Sequence, residues 1–237
     1  MTAPKAPAFQ AKNRRGKRQS PAARLPAKIH RVPAPDGTRK PRGTDIRERM
    51  LQAALECFGA FGFEGTSTRA VAERAGTTHS LLLYHFESKD KLWQATIEDV
   101  IGRYKAEFEQ RLALVDRSDP AACLRAFVEN FVRFSARVPQ LHRIMTMEST
   151  QGSDRIHWVI DAHLRESFNH VRDLIHRGQM LGQVRDGDAA RLYYAIIGLA
   201  GTLLSVSTEF RLLTGRDVFT EGEMYHTIGF IFDFIFV

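Results

Sequence analysis

The sequence predicts an all-α fold of about nine helices, three short ones followed by a longer helical body. Three observations predict it. From residue 44 to the C-terminus apolar residues recur with a period near 3.6. No stretch alternates with the period of 2 that marks a half-buried strand. Neither an internal repeat nor a Gly-rich phosphate loop interrupts the helical pattern.

Thr44 can cap a first helix whose inward face carries Ile46, Met50, Ala54, Cys57, Phe58 and Phe61, with Gly62 ending it in a left-handed conformation. Ser67 or Thr68 can cap a short second helix that turns Val71, Ala72 and Ala75 inward and stops at Gly76. Thr78 opens a third, resting on Leu82 and Phe86. Ser88 caps a long fourth, running through Leu92, Ile97, Val100, Ile101, Tyr104 and Phe108 to about residue 115. Asp119-Pro120 supplies an N-cap and a first-turn proline for a fifth helix over about 121–137, which Pro139 closes. A sixth spans about 140–150. A long seventh begins at Asp154 and turns Ile156, Ile160, Leu164, Phe168, Val171 and Ile175 inward. An eighth over 188–213 is apolar nearly all round, and a ninth covers 221–236.

The 237 residues are 43% hydrophobic and 26% charged, which suits a globular protein with a sizeable core and excludes a wholly disordered chain. The net charge of +7 is unevenly placed. Residues 1–43 hold twelve Lys and Arg against the single acid Asp36, whereas the rest carries 22 basic and 26 acidic residues. A tail so rich in Ala, Pro, Lys and Arg has too little apolar surface to offset the entropy of ordering, so it is expected to be disordered. It reads either as an arm that neutralises phosphates or as a solvated tail. Its start lacks the apolar core of a secretory signal, leaving the cytoplasm as the expected compartment and an organelle transit peptide as the lesser alternative. The longest apolar run, 192–206, is broken by Gly198, Gly201, Thr202 and Ser205, and falls short of the ~20 residues of a membrane span. Cys57 and Cys123 sit in apolar helical patterns and read as buried, reduced thiols rather than a disulfide or a metal site.

Three helices of such lengths, with Gly76-Thr77 between the second and third, form a helix-turn-helix, which would occupy residues 44–92. The third must be short and exposed on one side to enter a major groove about 12 Å wide. Its sequence divides that way, with Leu82 and Phe86 inward and Thr78, His79, Ser80, Tyr84 and His85 outward. It contains no Lys or Arg, so phosphate grip falls to its flanks.

The stretch from GTDIRERM to ESKDKLW, and above all AALECFGAFGFEGTS, the VAERAG turn and LYHFESKDKL, resembles the DNA-binding domain of the TetR/AcrR family. About 50 residues carry the resemblance; the remainder is similar in helix count and length only. The resemblance implies that Arg69 reaches a guanine edge, a bidentate pairing suited to its guanidinium. It implies that Ser67 and Thr68 meet phosphates, that Thr78, His79 and Ser80 face base edges, that Tyr84 and His85 touch the backbone, and that Lys89 meets a phosphate at the start of the fourth helix. Alternatives read from the residues alone stay open: an Arg69–Glu73 pair at i, i+4, a core role for His85, a merely solubilising Lys89. Leu83 stands where the family often has an aromatic, and Leu81 where it has a small or polar residue; Leu81 can meet a thymine methyl or pack inward.

Residues 93–237 would form a helical effector-binding and dimerisation domain. Phe131, Phe134, His142, Met145, Met147, Trp158, His163 and Phe168, with Leu141, can line a pocket for a hydrophobic or aromatic small molecule, with Glu148 as a further polar group. Gly198, Gly201 and Ser205 of the eighth helix and Ile228, Ile231, Phe232, Ile235 and Phe236 of the ninth are expected to form the interface of a homodimer, a four-helix bundle. Two copies would place two reading helices ~34 Å apart on a near-palindromic operator in double-stranded DNA. No nucleophile motif and no two Glu-x-x-His helices occur, so neither an enzyme nor a cofactor or metal is expected. The resemblance implies a repressor that ligand binding releases; a sequence-nonspecific architectural protein with the same head is the alternative.

Overall fold

Capping and proline signals at the starts of individual helices set the observed architecture. The computed structural model describes residues 42–237; the basic stretch before them, with its expected disorder and phosphate contacts, lies outside the described residues. The order is α1 (Arg42–Gly65), α2 (Thr68–Arg74), α3 (His79–Phe86), α4 (Lys89–Leu112), α5 (Pro120–Arg137), α6 (Pro139–Gln151), α7 (Asp154–Val159), a π-turn (Ile160–Leu164), α8 (Arg165–Met180), α9 (Ala189–Ser205), α10 (Ser207–Thr214) and α11 (Glu221–Ile235). Among the described residues the one extended pairing is an isolated bridge between Val184 and Phe236.

The capping residues behave as their chemistry requires. Ser67, Thr78, Ser88, Asp119 and Asp188 each accept a hydrogen bond from a backbone N–H in the first turn of α2, α3, α4, α5 and α9. α1 begins at Arg42, two residues before the Thr44 start expected from sequence. Gly62 breaks it at φ +69° as expected, but a further turn follows, and Phe63 enters the core while Phe61 stays 40% exposed. Val138 both ends α5 and precedes α6, because the residue before Pro139 is driven out of the helical region.

Two expected helices are broken. The seventh is α7, the π-turn and α8. The eighth is α9 and α10, bent by 72° at Val206, which leaves Leu212 and Leu213 79% and 78% exposed. No single helix among the described residues is long and apolar enough to cross a membrane.

Two cores result. The first joins α1–α4 to Phe134 of α5, Ile144 of α6 and Ile156 and Val159 of α7, with Trp93 fully buried in it. The second gathers α5, α8, α9 and α11. There Ile231 and Ile235 are 0% exposed and Ile228 5%. The expectation that these three leave a bare face for a partner is therefore corrected: the chain's own α5 and α9 cover them. Phe236, half-buried, lies under Arg125 of α5 at 3.9 Å, and Phe232 at 4.8 Å. The Arg185 N–H donates to the Ile235 carbonyl at 2.9 Å, pinning the C-terminus to the loop after α8. Gly201 is also internal: a Cβ there would overlap the His142 ring of α6. Gly198 and Ser205, by contrast, are exposed.

Candidate nucleic-acid interface and ligand cleft

The reading helix stands on its two apolar residues. Leu82 and Phe86 of α3 are buried against the first core, while Ser80, Tyr84 and His85 face solvent, Tyr84 at 82%. His85 is thus exposed rather than a core histidine, its ring edge-on to Tyr84. Leu81 and Leu83 are half-buried and pack against the core, so Leu81 takes the packing option.

α2 and α3 are tied where both present polar groups. Thr68 Oγ1 and His79 Nε2 share a hydrogen bond of 2.9 Å. The hydroxyls of Ser67 and Thr78 accept from Ala70 N–H at 3.1 Å and Leu81 N–H at 3.2 Å. Arg69 is exposed and has no ion pair among the described residues, Glu73 included. Lys89 is held rather than loose: its ammonium lies 4.3 Å above the Phe63 ring and 3.5 Å from the Glu64 carbonyl. Between α3 and α4, Glu87 takes φ +62° with Ser88 N–H donating to the Phe86 carbonyl at 2.6 Å, a tight turn that separates the two helices.

A cleft of about 750 Å³ opens in the body between α4, α5, α6, the π-turn, α8 and α9. Phe131, Phe134, His142, Met145, His163 and Phe168 line it, as does Leu141. Three residues expected there do not. Met147 lies beside Gly62 at the end of α1. Trp158 packs edge-on against Trp93, 5.9 Å between centroids, in the first core. Glu148 is buried at 2% exposure, accepting from Ser153 Oγ at 2.5 Å and Arg155 Nε at 3.0 Å. Helical periodicity assigns all three an inward direction, but which of two interiors they enter depends on helix crossings it does not contain.

Sequence reasoning missed Tyr104, Lys105, Arg165, Arg172, Tyr193 and Tyr194, all of which line the cleft. Tyr104 does lie on the inward stripe of α4, where it read as plain core. The Arg165 and Lys105 positions carry no such signal. The Tyr104 hydroxyl and His163 Nε2 are buried without a hydrogen-bond partner in the protein, an unusual state for buried polar groups. Burial, with Tyr193 alongside, pushes the Tyr104 phenol far up, and burial raises Tyr193 to about 12, so both remain protonated. Burial pushes His142 and His163 below the ordinary histidine range, Lys105 adding to the effect at His163, so both imidazoles are neutral near pH 7. Among the described residues no group of three His, Cys, Asp or Glu is placed to hold a metal ion.

Comparison with known proteins follows this division of the chain. The family described as bacterial regulatory proteins, tetR family, matches residues 50–96. The family described as tetracyclin repressor-like, C-terminal domain, matches residues 120–235. The HTH-type transcriptional regulator RutR of Escherichia coli (strain K12) is 27% identical over 182 residues, covering 77% of this chain and 84% of that one. The HTH-type transcriptional repressor NicS of Pseudomonas putida is 28% identical over 155 residues, 63% of this chain and 71% of its own. Among solved structures, the ketosteroid transcriptional regulator KstR2 of Mycobacterium tuberculosis aligns with a TM-score of 0.66 at 16% identity, over 81% of this chain and 95% of that one. A TetR-like transcriptional regulator from Rhodococcus sp. RHA1 aligns at 0.61 with 20% identity, over 82% and 95%. At these identities the structural likeness speaks for the fold.

Proposed function

The chain belongs to the TetR family of bacterial regulatory proteins, ligand-responsive regulators of transcription, and on that premise we propose that it is a repressor that leaves a near-palindromic operator when an apolar or aromatic molecule enters the cleft. The single observation that carries the DNA half is α3, anchored by buried Leu82 and Phe86 and presenting Ser80, Tyr84 and His85 outward. A helix with one face secured and one exposed is the element a major groove admits. In this reading Thr78, His79 and Ser80 face base edges, Arg69 a guanine, and Ser67, Thr68, Tyr84, His85 and Lys89 the backbone. The Thr68–His79 hydrogen bond fixes the two helices in one orientation for that purpose.

The cleft supports the ligand half. Its size lies within the roughly 300–1,000 Å³ of small-molecule sites, and it meets both α4, which leads to the head, and α6, which packs on α1. Dimerisation remains part of the proposal on a revised surface. The exposed face of α9 carries Gly198, Thr202 and Ser205, and that of α11 carries Gly222, Tyr225 and Phe230. A Cβ at Gly198 or Gly222 would meet nothing within 4 Å, so a second copy can approach closely there.

Footprinting on the DNA upstream of its own gene tests the reading. A discrete protected palindrome is expected; uniform coverage would favour the architectural alternative. Arg69→Ala should cost ~1–3 kcal/mol and relax base preference, whereas Lys89→Ala should weaken all sequences alike and reduce the salt slope by about 1. Equal loss of specificity from both would contradict the roles assigned.

A further inference from the structure

The charged groups around the cleft are all of one sign. Lys105, Arg165 and Arg172 line it, and no Asp or Glu does. Two of the three cations are already matched from outside the lining. Arg165 pairs with Asp161 at 2.5 Å and Arg172 with Asp173 at 3.2 Å. Lys105, half-buried on α4, has no ion pair among the described residues. It acts electrostatically on His163, whose Nε2 is buried without a partner and whose ring stands edge-on to Trp158 at 5.1 Å. Among the described residues the one carboxylate that acts on His163 is that of Glu98 on α4, which is exposed and outside the lining.

His163 comes to the cleft from the π-turn, Lys105 from α4 and Arg165 and Arg172 from α8. The extra residue of a π-turn rotates the helix, and here Ile160, His163 and Leu164 all reach the cleft from one short segment. The rest of the wall is aromatic, with Phe127, Phe131, Phe134, Phe168 and Tyr193. The lining therefore offers an ammonium and an unpartnered imidazole nitrogen together with a wall of rings.

We propose that the effector is an amphipathic organic carboxylate, its apolar or aromatic body seated among Phe131, Phe134 and Phe168 and its anionic end at Lys105 and His163. The proposal rests on the cleft being the effector site. A carboxylate removed from water needs a cation and a donor together, and a charge-assisted hydrogen bond is about twice as strong as a neutral one. A cationic ligand would meet the Lys105 ammonium, unpaired among the described residues, with no carboxylate in the lining to receive it, and a neutral one would leave Lys105 desolvated without a counter-charge.

The test uses matched probes on the full chain: naphthalene-2-carboxylate, 4-phenylbutyrate and decanoate, each against its primary carboxamide. Calorimetry gives the affinity, and operator DNA retention gives the response. The carboxylates should bind at least about tenfold tighter than the amides. Lys105→Met should erase that preference by weakening the carboxylates, with amide affinity held or raised because no desolvated ammonium remains. Arg103→Met, which removes an exposed α4 cation outside the lining, should leave the preference intact. Amides equal to or tighter than the acids, a preference that survives Lys105→Met, or binding by no probe would overturn the proposal. Equal binding by acids and amides with operator release would sink the anion site and leave the ligand-released regulator standing. A carboxylate preference with no change in operator retention would do the reverse.

Discussion

His142 shows how one side chain serves packing and site at once. Its ring lies over the bare backbone of Gly201 and also reaches the cleft. Burial holds its folded pKa below the ordinary histidine value. The unfolded chain therefore takes up a proton first as pH falls, and stability drops with it. The contribution is fully present above the ordinary histidine pKa and is lost as pH falls through that value towards the lowered one. His163 adds the same sign, from burial first and Lys105 second. Urea denaturation should accordingly give lower stability at about pH 5.5 than at about pH 7.5. The difference should shrink in His142→Asn, and a difference unchanged in that variant would assign it to other groups. That His142 reaches the cleft was legible from its position among aromatic residues at helical spacing. Its seat on Gly201 was not, because the glycine read as a surface for a partner chain.

Helix boundaries were legible wherever a capping side chain or a proline set them, as at Ser67, Thr78, Ser88 and Asp119. The breaks inside the expected seventh and eighth helices were not. Ile156, Ile160, Leu164, Phe168 and Val171 keep an apolar period through the π-turn, so the pattern conceals the extra residue that turns His163 into the cleft. The run 188–213 is apolar enough on all sides to hide the 72° bend at Val206. At the α6–α9 crossing the His142 ring rests against Gly201, where a Cβ would overlap it. Gly201→Ala should destabilise the protein by about 1–3 kcal/mol, since a well-packed core resists added volume. In a His142→Ala background the same change should be close to neutral, because the ring that obstructs the methyl group is gone. Denaturation of the four proteins completes the cycle. An equal cost in both backgrounds would show that some other neighbour sets the α6–α9 distance.

At the scale of the whole molecule, α6 has the cleft on one side and the head on the other. Leu141, Met145 and Ser149 line the cleft. Elsewhere on the helix, Gln140 sits so close to Gly59 of α1 that a Cβ there would come within 2.7 Å, and Met147 lies beside Gly62. Glu148 holds Arg155, whose guanidinium lies 3.8 Å over the Phe63 ring, and Lys89 at the start of α4 lies over that ring as well. A ligand that displaces α6 thus acts on the end of α1 and on the start of α4, the two segments that flank the α2–α3 pair. α4 also lines the cleft directly through Ile101, Tyr104 and Lys105, so two routes to the head exist. Phe63→Leu separates them, keeping an apolar side chain while removing the ring that Arg155 and Lys89 share. Ligand and operator affinities are coupled reciprocally, by about 1–3 kcal/mol in typical cases. If the α6 route carries the signal, Phe63→Leu should keep operator affinity without ligand within about threefold and remove roughly 0.5–2 kcal/mol of that coupling. The measurement is operator Kd with and without a saturating cleft probe, and the reciprocal shift in probe Kd with and without operator. Replacing Glu148 and Arg155 together by Leu should produce the same loss without stranding a buried charge. Undiminished coupling in both variants would place the whole signal in α4.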